Sequence, residues 1–329
     1  MPGGLSEESF IERLRALAPR EGLYGIGDDG ALLSEADGRV VASDTLVEEV
    51  HFFADAAPAD VGYKLLATNI SDLHAMGALP RAWTMNVATP TLDAAWADAF
   101  IEGLSTARDE LAPELALIGG DTTRSPGPLV LSATLVGRCV RTREGRLSPL
   151  SRSGARPDTR VWVRGALGWA AAGLHAITHG VARELPSLGR ALSAHRRPLP
   201  PPAEPSAWER LDAGLDVSDG LAKDLGRLAR ASGVGVELDE EALRDLDLDR
   251  LHAALSAGGE ALAWVLSGGD DYALVGTADE RPGPDWRCIG RTVGSEPTLT
   301  LRRADGSRRA LAGEGFEHFE AATEAGRRP

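Results

Sequence analysis

Cysteine is nearly absent: Cys139 and Cys288 are the only two in 329 residues, far apart and without a CxxC partner. That excludes a disulfide framework and a cysteine-built zinc site, and it suits a reducing cytoplasm. Positive charge is scarce too, with 35 Lys and Arg against 49 Asp and Glu, a formal charge of −14. Such a balance argues against the basic footprint of a nucleic-acid binder. It leaves room for a phosphorylated substrate, because a bound metal inverts the local charge logic. Long apolar runs are missing as well. No stretch reaches the roughly 18 residues of a membrane span, and residues 1–8 lack the basic start and apolar core of a signal peptide. The expectation is a soluble cytoplasmic protein with no nucleic-acid and no membrane partner. Walker A loops, a kinase glycine loop with its lysine, GxGxxG in its strand-turn-helix context and a GxSxG elbow are all absent, and the seven histidines are scattered.

What the chain has instead is acidic loops set among glycines. Gly25-Ile26-Gly27-Asp28-Asp29-Gly30 leads into the apolar Ala31-Leu32-Leu33. Two adjacent carboxylates repel each other, and flanking glycines give them no screening side chains, so a cation is expected there. A hard divalent ion such as Mg²⁺ takes oxygen ligands from one or two carboxylates and from substrate phosphates. Similar loops follow at Ser43-Asp44-Thr45, Ser71-Asp72, Gly119-Gly120-Asp121-Thr122-Thr123, Asp216-Val217-Ser218-Asp219-Gly220 and Ser267-Gly268-Gly269-Asp270-Asp271. The fold is expected to gather them.

The periodicity predicts alternating helices and strands, an α/β (α+β layered) architecture. A helix over 6–17, capped by Ser6 and stopped by Pro19, precedes a strand over 39–46. Helices over 60–76 and 92–111 flank a strand over 82–88, and strands over 114–118 and 129–138 follow. Asn69 and Asp72, three residues apart, share one helix face; Asn69 alone reads as an ordinary buried hydrogen bond, whereas a buried carboxylate needs a partner. Asp44 and Asp121 are expected at strand ends, where ligands gather. The polar, basic segment 141–157 divides the chain into domains 1–148 and 149–329. In the second half, a strand over 160–163, helices over 169–178 and 221–231 and strands over 234–238 and 272–276 are expected, with peripheral strands near 287–292 and 298–301. The proline-rich 198–205 reads as a stiff connector.

Asp28, Asp29, Asp44, Asp72, Asp121, Asp216 and Asp219 suit several Mg²⁺ ions holding a triphosphate. Backbone amides in Gly119-Gly120 and Gly268-Gly269 suit anion nests, and Arg124 and Arg152 suit phosphate oxygens. Each motif alone has a bland structural explanation; their co-occurrence is the stronger signal.

Taken together, Gly27-Asp28-Asp29, Asp44-Thr45-Leu46-Val47-Glu48 with His51-Phe52, Asn69-Ile70-Ser71-Asp72-Leu73 with Met76-Gly77-Ala78, Gly119 to Arg124, Arg152-Ser153-Gly154-Ala155, Asp216 to Leu221 and Ser267 to Tyr272 resemble the thiamine-monophosphate kinase family, nearly to the C-terminal Gly315-Phe316-Glu317-His318-Phe319. The resemblance implies ATP-dependent conversion of thiamine monophosphate to thiamine diphosphate with several Mg²⁺ ions. It also implies the two-domain aminoimidazole ribonucleotide synthetase-like fold: an N-terminal domain that binds ATP and forms a homodimer, and a C-terminal domain that closes over it. By that resemblance Asp29, Ser43, Asp44, Asp72, Asp121, Asp216 and Asp219 match metal positions. Gly120, Asp121, Arg152 and Ser218 match nucleotide contacts, and His51, Asp270 and Phe316 match thiamine contacts. No residue is assigned as an acid or base. Three positions depart from the family pattern: Asp270 replaces the usual Glu, Glu49 a usual glycine, and Phe316 a frequent Tyr or Trp. Relatives such as selenophosphate synthetase or the hydrogenase-maturation dehydratase would be expected to carry a reactive cysteine near one terminus. A non-catalytic nucleotide sensor is the alternative from another class, discriminated by binding without turnover.

Overall fold

The computed structural model describes residues 7–14, 27–34, 36–180, 187–246, 261–311 and 315–316. The expected Ser6 cap, the Pro19 stop, Gly25-Ile26 and Glu317-His318-Phe319 lie outside the described residues.

The first half opens with α1 (Glu7–Leu14), β1 (Ala31–Ser34), β2 (Arg39–Val47) and α2 (Pro58–Ala75). It continues with β3 (Ala78–Thr89), α3 (Ala94–Leu111), β4 (Ala116–Arg124) and β5 (Val130–Cys139). The strands form one sheet in the order β1-β2-β5-β3-β4, antiparallel except for the β3–β4 pair. Period-2 alternation decides its faces: Val40, Ala42, Leu46, Leu131, Ala133 and Leu135 are buried under α2, while Ser43, Thr45, Ser132 and Thr134 line the other, open face. Asp44 and Asp121 lie inside β2 and β4 rather than at strand ends. The expected stop at Gly119-Gly120 fails because β4 runs through both glycines, with Gly120 at φ +154 directly against β3.

Helices α2 and α3 cross in close contact because each sets a glycine against the other's backbone, Gly62 against Phe100 and Gly103 against Ala59. A Cβ on Gly103 would sit 2.0 Å from the Ala59 carbonyl oxygen. Gly103→Ala should therefore destabilise: overpacking costs about 1–3 kcal/mol, more than the ~1 kcal/mol of helix propensity that alanine adds. Thermal melting checks this, and a raised midpoint would contradict it.

Segment 141–157 contains the hairpin β6 (Thr142–Arg143) and β7 (Arg146–Leu147). The buried Arg141 staples it to the second half, donating to the carbonyls of Ser148, Trp208 and Leu211. Then come β8 (Arg160–Arg164), α4 (Trp169–Thr178), α5 (Leu188–Arg196), α6 (Pro205–Trp208), β9 (Ala213–Asp216) and α7 (Leu221–Ser232). The chain closes with β10 (Gly235–Asp239), α8 (Glu240–Arg244), α9 (Ala261–Ser267), β11 (Leu274–Ala278), β12 (Arg287–Val293), β13 (Leu299–Arg302) and β14 (Arg308–Ala310). Their sheet has the order β14-β13-β10-β12-β8-β11-β9. The strand expected to be peripheral, β12, is thus the middle one, paired to β10 and β8. Val161, Val163, Leu215 and Val275 pack toward the helices, whereas Trp162 and Leu274 pack toward Ala75 of α2 and Leu150. Helix α2 consequently lies between the two sheets, touching β9 and β11 as well as its own sheet.

Candidate active site

Asp29 stands in the turn before β1, Asp72 in the last turn of α2 and Asp216 at the end of β9. One carboxylate oxygen from each lies within 4.8 Å of the others. Ser71 Oγ donates to Asp216 Oδ2 at 2.6 Å. Asp44 approaches from β2, its backbone N–H donating to Asn69 Oδ1 at 3.1 Å, so Asn69 is the buried structural hydrogen bond its sequence context suggested. Burial pushes the Asp72 and Asp216 carboxyls well above the usual range, and the neighbouring carboxylates push the same way. Asp44 rises to about 6, again chiefly through burial.

Arg152 is the cation already at this cluster. Its backbone N–H donates to Asp28 Oδ1 at 2.7 Å, Nη1 to the Gly27 carbonyl at 2.9 Å, and Nη2 pairs with Asp29 Oδ1. The other oxygen, Asp29 Oδ2, is buried with no hydrogen-bond partner. An orphaned carboxylate oxygen beside two further desolvated carboxyls fits a hard divalent cation, and Asp29, Asp72 and Asp216 would hold it.

A second group of residues is assembled by backbone hydrogen bonds among three loops. Asp270 N–H donates to the Ser218 carbonyl at 2.8 Å, Tyr272 N–H to Val217 at 2.8 Å and Phe316 N–H to Asp219 at 3.0 Å. A Cβ on Gly269 would lie 2.6 Å from the Ser218 oxygen, which explains the glycine there. Asp270 and Tyr272 both have left-handed backbones, at φ +64 and +51, a strained pair of the kind found at functional loops. The adjacent aspartates have separate jobs. Asp271 is buried and accepts from the Gly168 and Ala170 amides at the start of α4, and burial raises it to about 8. Asp270 points the other way, to Lys64 Nζ at 2.7 Å. Burial works against its charge, yet Lys64 outweighs that and holds its carboxyl below the usual range. Gly268 N–H is engaged by the Trp264 carbonyl, so it is not part of an anion nest.

The remaining sequence candidates are placed differently. Asp219 lies outside the trio, and its Oδ2 is engaged by Arg227 at 2.7 Å and Lys223 at 3.2 Å. Ser43 Oγ donates to the Ala133 carbonyl and shares a hydrogen bond with Thr134, on the face opposite Asp44. Gly120 and Asp121 sit on the exposed edge strand β4, with Asp121 in register with Asn86. His51 Nδ1 accepts from the Val47 N–H at 3.0 Å. Glu49, where the family favours glycine, is left-handed at φ +64, and its Oε1 accepts from the Ala54 N–H at 2.7 Å. Sequence reading missed Lys64, Asp224 and Arg227. Lys64 carried a signal, a lone cation within the buried run Val61–Ser71. Asp224 holds the Ser218 and Asp219 amides at 3.1 and 3.0 Å, a contact between neighbours that spacing does not announce.

The family model for the AIR synthase related protein, N-terminal domain, matches residues 27–139, and that for its C-terminal domain matches 156–302. Thiamine-monophosphate kinase of Salmonella typhimurium is 36% identical, with 90% of this chain and 91% of that protein covered. The chain belongs to the thiamine-monophosphate kinase family. Its Mycobacterium tuberculosis member is 38% identical over 88% of this chain and 85% of its own length. A solved family structure, "AaThiL complexed with AMPPCP and TMP", superposes with a TM-score of 0.81 at 27% identity, covering 96% of this chain and 97% of that one. A HypE–HypF complex, at 16% identity and a TM-score of 0.68 over 92% of this chain and 98% of that one, shares the fold alone.

Proposed function

We propose that this family member phosphorylates thiamine monophosphate to thiamine diphosphate with ATP and Mg²⁺, by direct in-line transfer. The observation that carries the reading is the trio Asp29, Asp72 and Asp216, within 4.8 Å and with one orphaned oxygen. An acceptor phosphate oxygen is ionised near neutral pH, so no general base is required. The task is alignment and charge neutralisation. When bound, Mg²⁺ would neutralise the phosphates of both substrates. Arg152 orients Asp29 through its side chain and Asp28 through its backbone. Ser218 and Asp270 are tied together so that nucleotide and acceptor groups keep one spacing. Gly120, Asp121 and Ser43 would contribute from the open sheet face, and Asp44 and Asp219 from beside the trio.

A homodimer is part of the proposal. Among the described residues strand β4 is an unpaired sheet edge, with Leu117 and Ile118 at 56% and 66% exposure, a liability that proteins cover. Sedimentation at the mass of one chain would contradict it. The domain division 1–148 and 149–329 and a cytoplasmic location complete the reading; among the described residues no helix is long and apolar enough to cross a membrane. The test is product formation from purified protein, ATP, Mg²⁺ and thiamine monophosphate, with thiamine as a parallel acceptor. Thiamine diphosphate and ADP in equal amounts, abolished by EDTA, are expected. ATP binding without turnover would favour a sensor, and a covalently phosphorylated protein would exclude direct transfer.

A further inference from the structure

We infer that Lys64 is a positioning residue for the acceptor, setting affinity for thiamine monophosphate and leaving that for ATP nearly unchanged. This rests on the function proposed above. Lysine occurs only at positions 64 and 223, arginine serving almost everywhere else as the cation. Lys64 projects from α2 with 2% of its surface exposed. Its Nζ donates to the His51 carbonyl at 3.0 Å and to Asp270 Oδ2 at 2.7 Å. One ammonium thereby joins two acceptor-side residues that belong to different halves of the chain. A compact head with three freely oriented donors suits two acceptors at an angle, which the fixed fork of a guanidinium matches less well.

Both ends of this link are otherwise fixed. Tyr272 Oη donates to Asp270 Oδ1 at 3.1 Å, so both carboxylate oxygens are held. The Val47 N–H on His51 Nδ1 leaves the proton of a neutral ring on Nε2, making that nitrogen a donor. Glu49 Oε1, accepting from Ala54, braces the same loop. His195, tilted against Phe53 at 6.2 Å, also faces the link. It is held neutral, lowered to about 4 by burial and then by Lys64. Loss of Lys64 would cut the tie between the His51 loop and Asp270 while leaving each held by its other partners, so their mutual spacing is what it sets.

The test compares Lys64→Met, Asp270→Asn and the double variant with wild type, measuring kcat, KM for each substrate and thermal midpoint. Lys64→Met should raise KM for thiamine monophosphate about ten- to a hundredfold, the range for a lost hydrogen bond to a charged group, with KM for ATP changed less than about twofold. Asp270→Asn should show the same split, and the double variant should be no worse than the worse single. Should Lys64→Met not fold, Lys64→Arg, which keeps the charge but not the geometry of the ammonium, must give the split. Equal rises in both KM values, or additive effects, would overturn the positioning role while leaving the kinase reading intact. A wild-type protein that makes no thiamine diphosphate would overturn both.

Discussion

Asp72→Asn should abolish kinase activity, lowering kcat by about a thousandfold or more, because the several kcal/mol of charge stabilisation from a held cation translate into that factor. The same substitution should not cost stability. In EDTA at pH 8 the variant is expected to melt at or above wild type. The sign follows from linkage. Asp72 is raised well above the usual carboxylate range, first by burial and then by Asp44 and Asp216. A raised folded-state value contributes stability below the ordinary carboxylate range and loses it as pH rises through the raised value. An amide at position 72 has no such loss. Calorimetry with and without EDTA, beside the coupled assay for ADP, separates the two effects. A variant that loses activity only because it unfolds would contradict the assignment.

Arg152→Met should, in contrast, bring a large loss of stability. The Asp29 side chain is 2% exposed and Arg152 is its salt-bridge partner. Removing one member of a buried pair leaves an uncompensated charge and costs about 3–5 kcal/mol. The Arg152 guanidinium also anchors the Gly27 carbonyl, so the loop before β1 is expected to loosen, while the backbone N–H that holds Asp28 is kept. Added Mg²⁺ should recover part of the melting loss by returning positive charge to Asp29. A midpoint unchanged in EDTA would show that the Arg152–Asp29 pair carries no stability, and would remove the argument for the orphaned oxygen.

The residues that made the site legible in sequence were those whose chemistry is awkward anywhere else. Adjacent aspartates between glycines at 27–30, and a carboxylate on the buried face of α2, pointed to Asp29 and Asp72 before any fold was known. Helices with clear punctuation were legible too: α4 coincides with the expected 169–178, and α7 ends one residue past expectation, before the left-handed Gly233. Edges and partners were not legible. Strand β4 continues through Gly119 and Gly120 because pairing with β3 overrides the low strand propensity of glycine. Strand β12 looked peripheral because Arg287, Arg291 and Gly290 dilute its apolar pattern, yet its neighbours place it mid-sheet. Helix α5, rich in small and charged residues, gave too weak a stripe to read. The division of labour between Asp270 and Asp271 depends on left-handed backbone at 270 and 272, which spacing does not encode.

Helix α2 supplies Asp72 to the carboxylate trio and Lys64 to Asp270. Eight residues separate them, about 12 Å along the axis at 1.5 Å per residue. A packed helix does not stretch, so the spacing between the carboxylate trio and the Lys64–Asp270 pair is built in before any ligand arrives. The protein thus carries its own ruler. On the proposed reading an acceptor would be measured for length as well as for charge, and thiamine, lacking the phosphate, would span only one end of the scale.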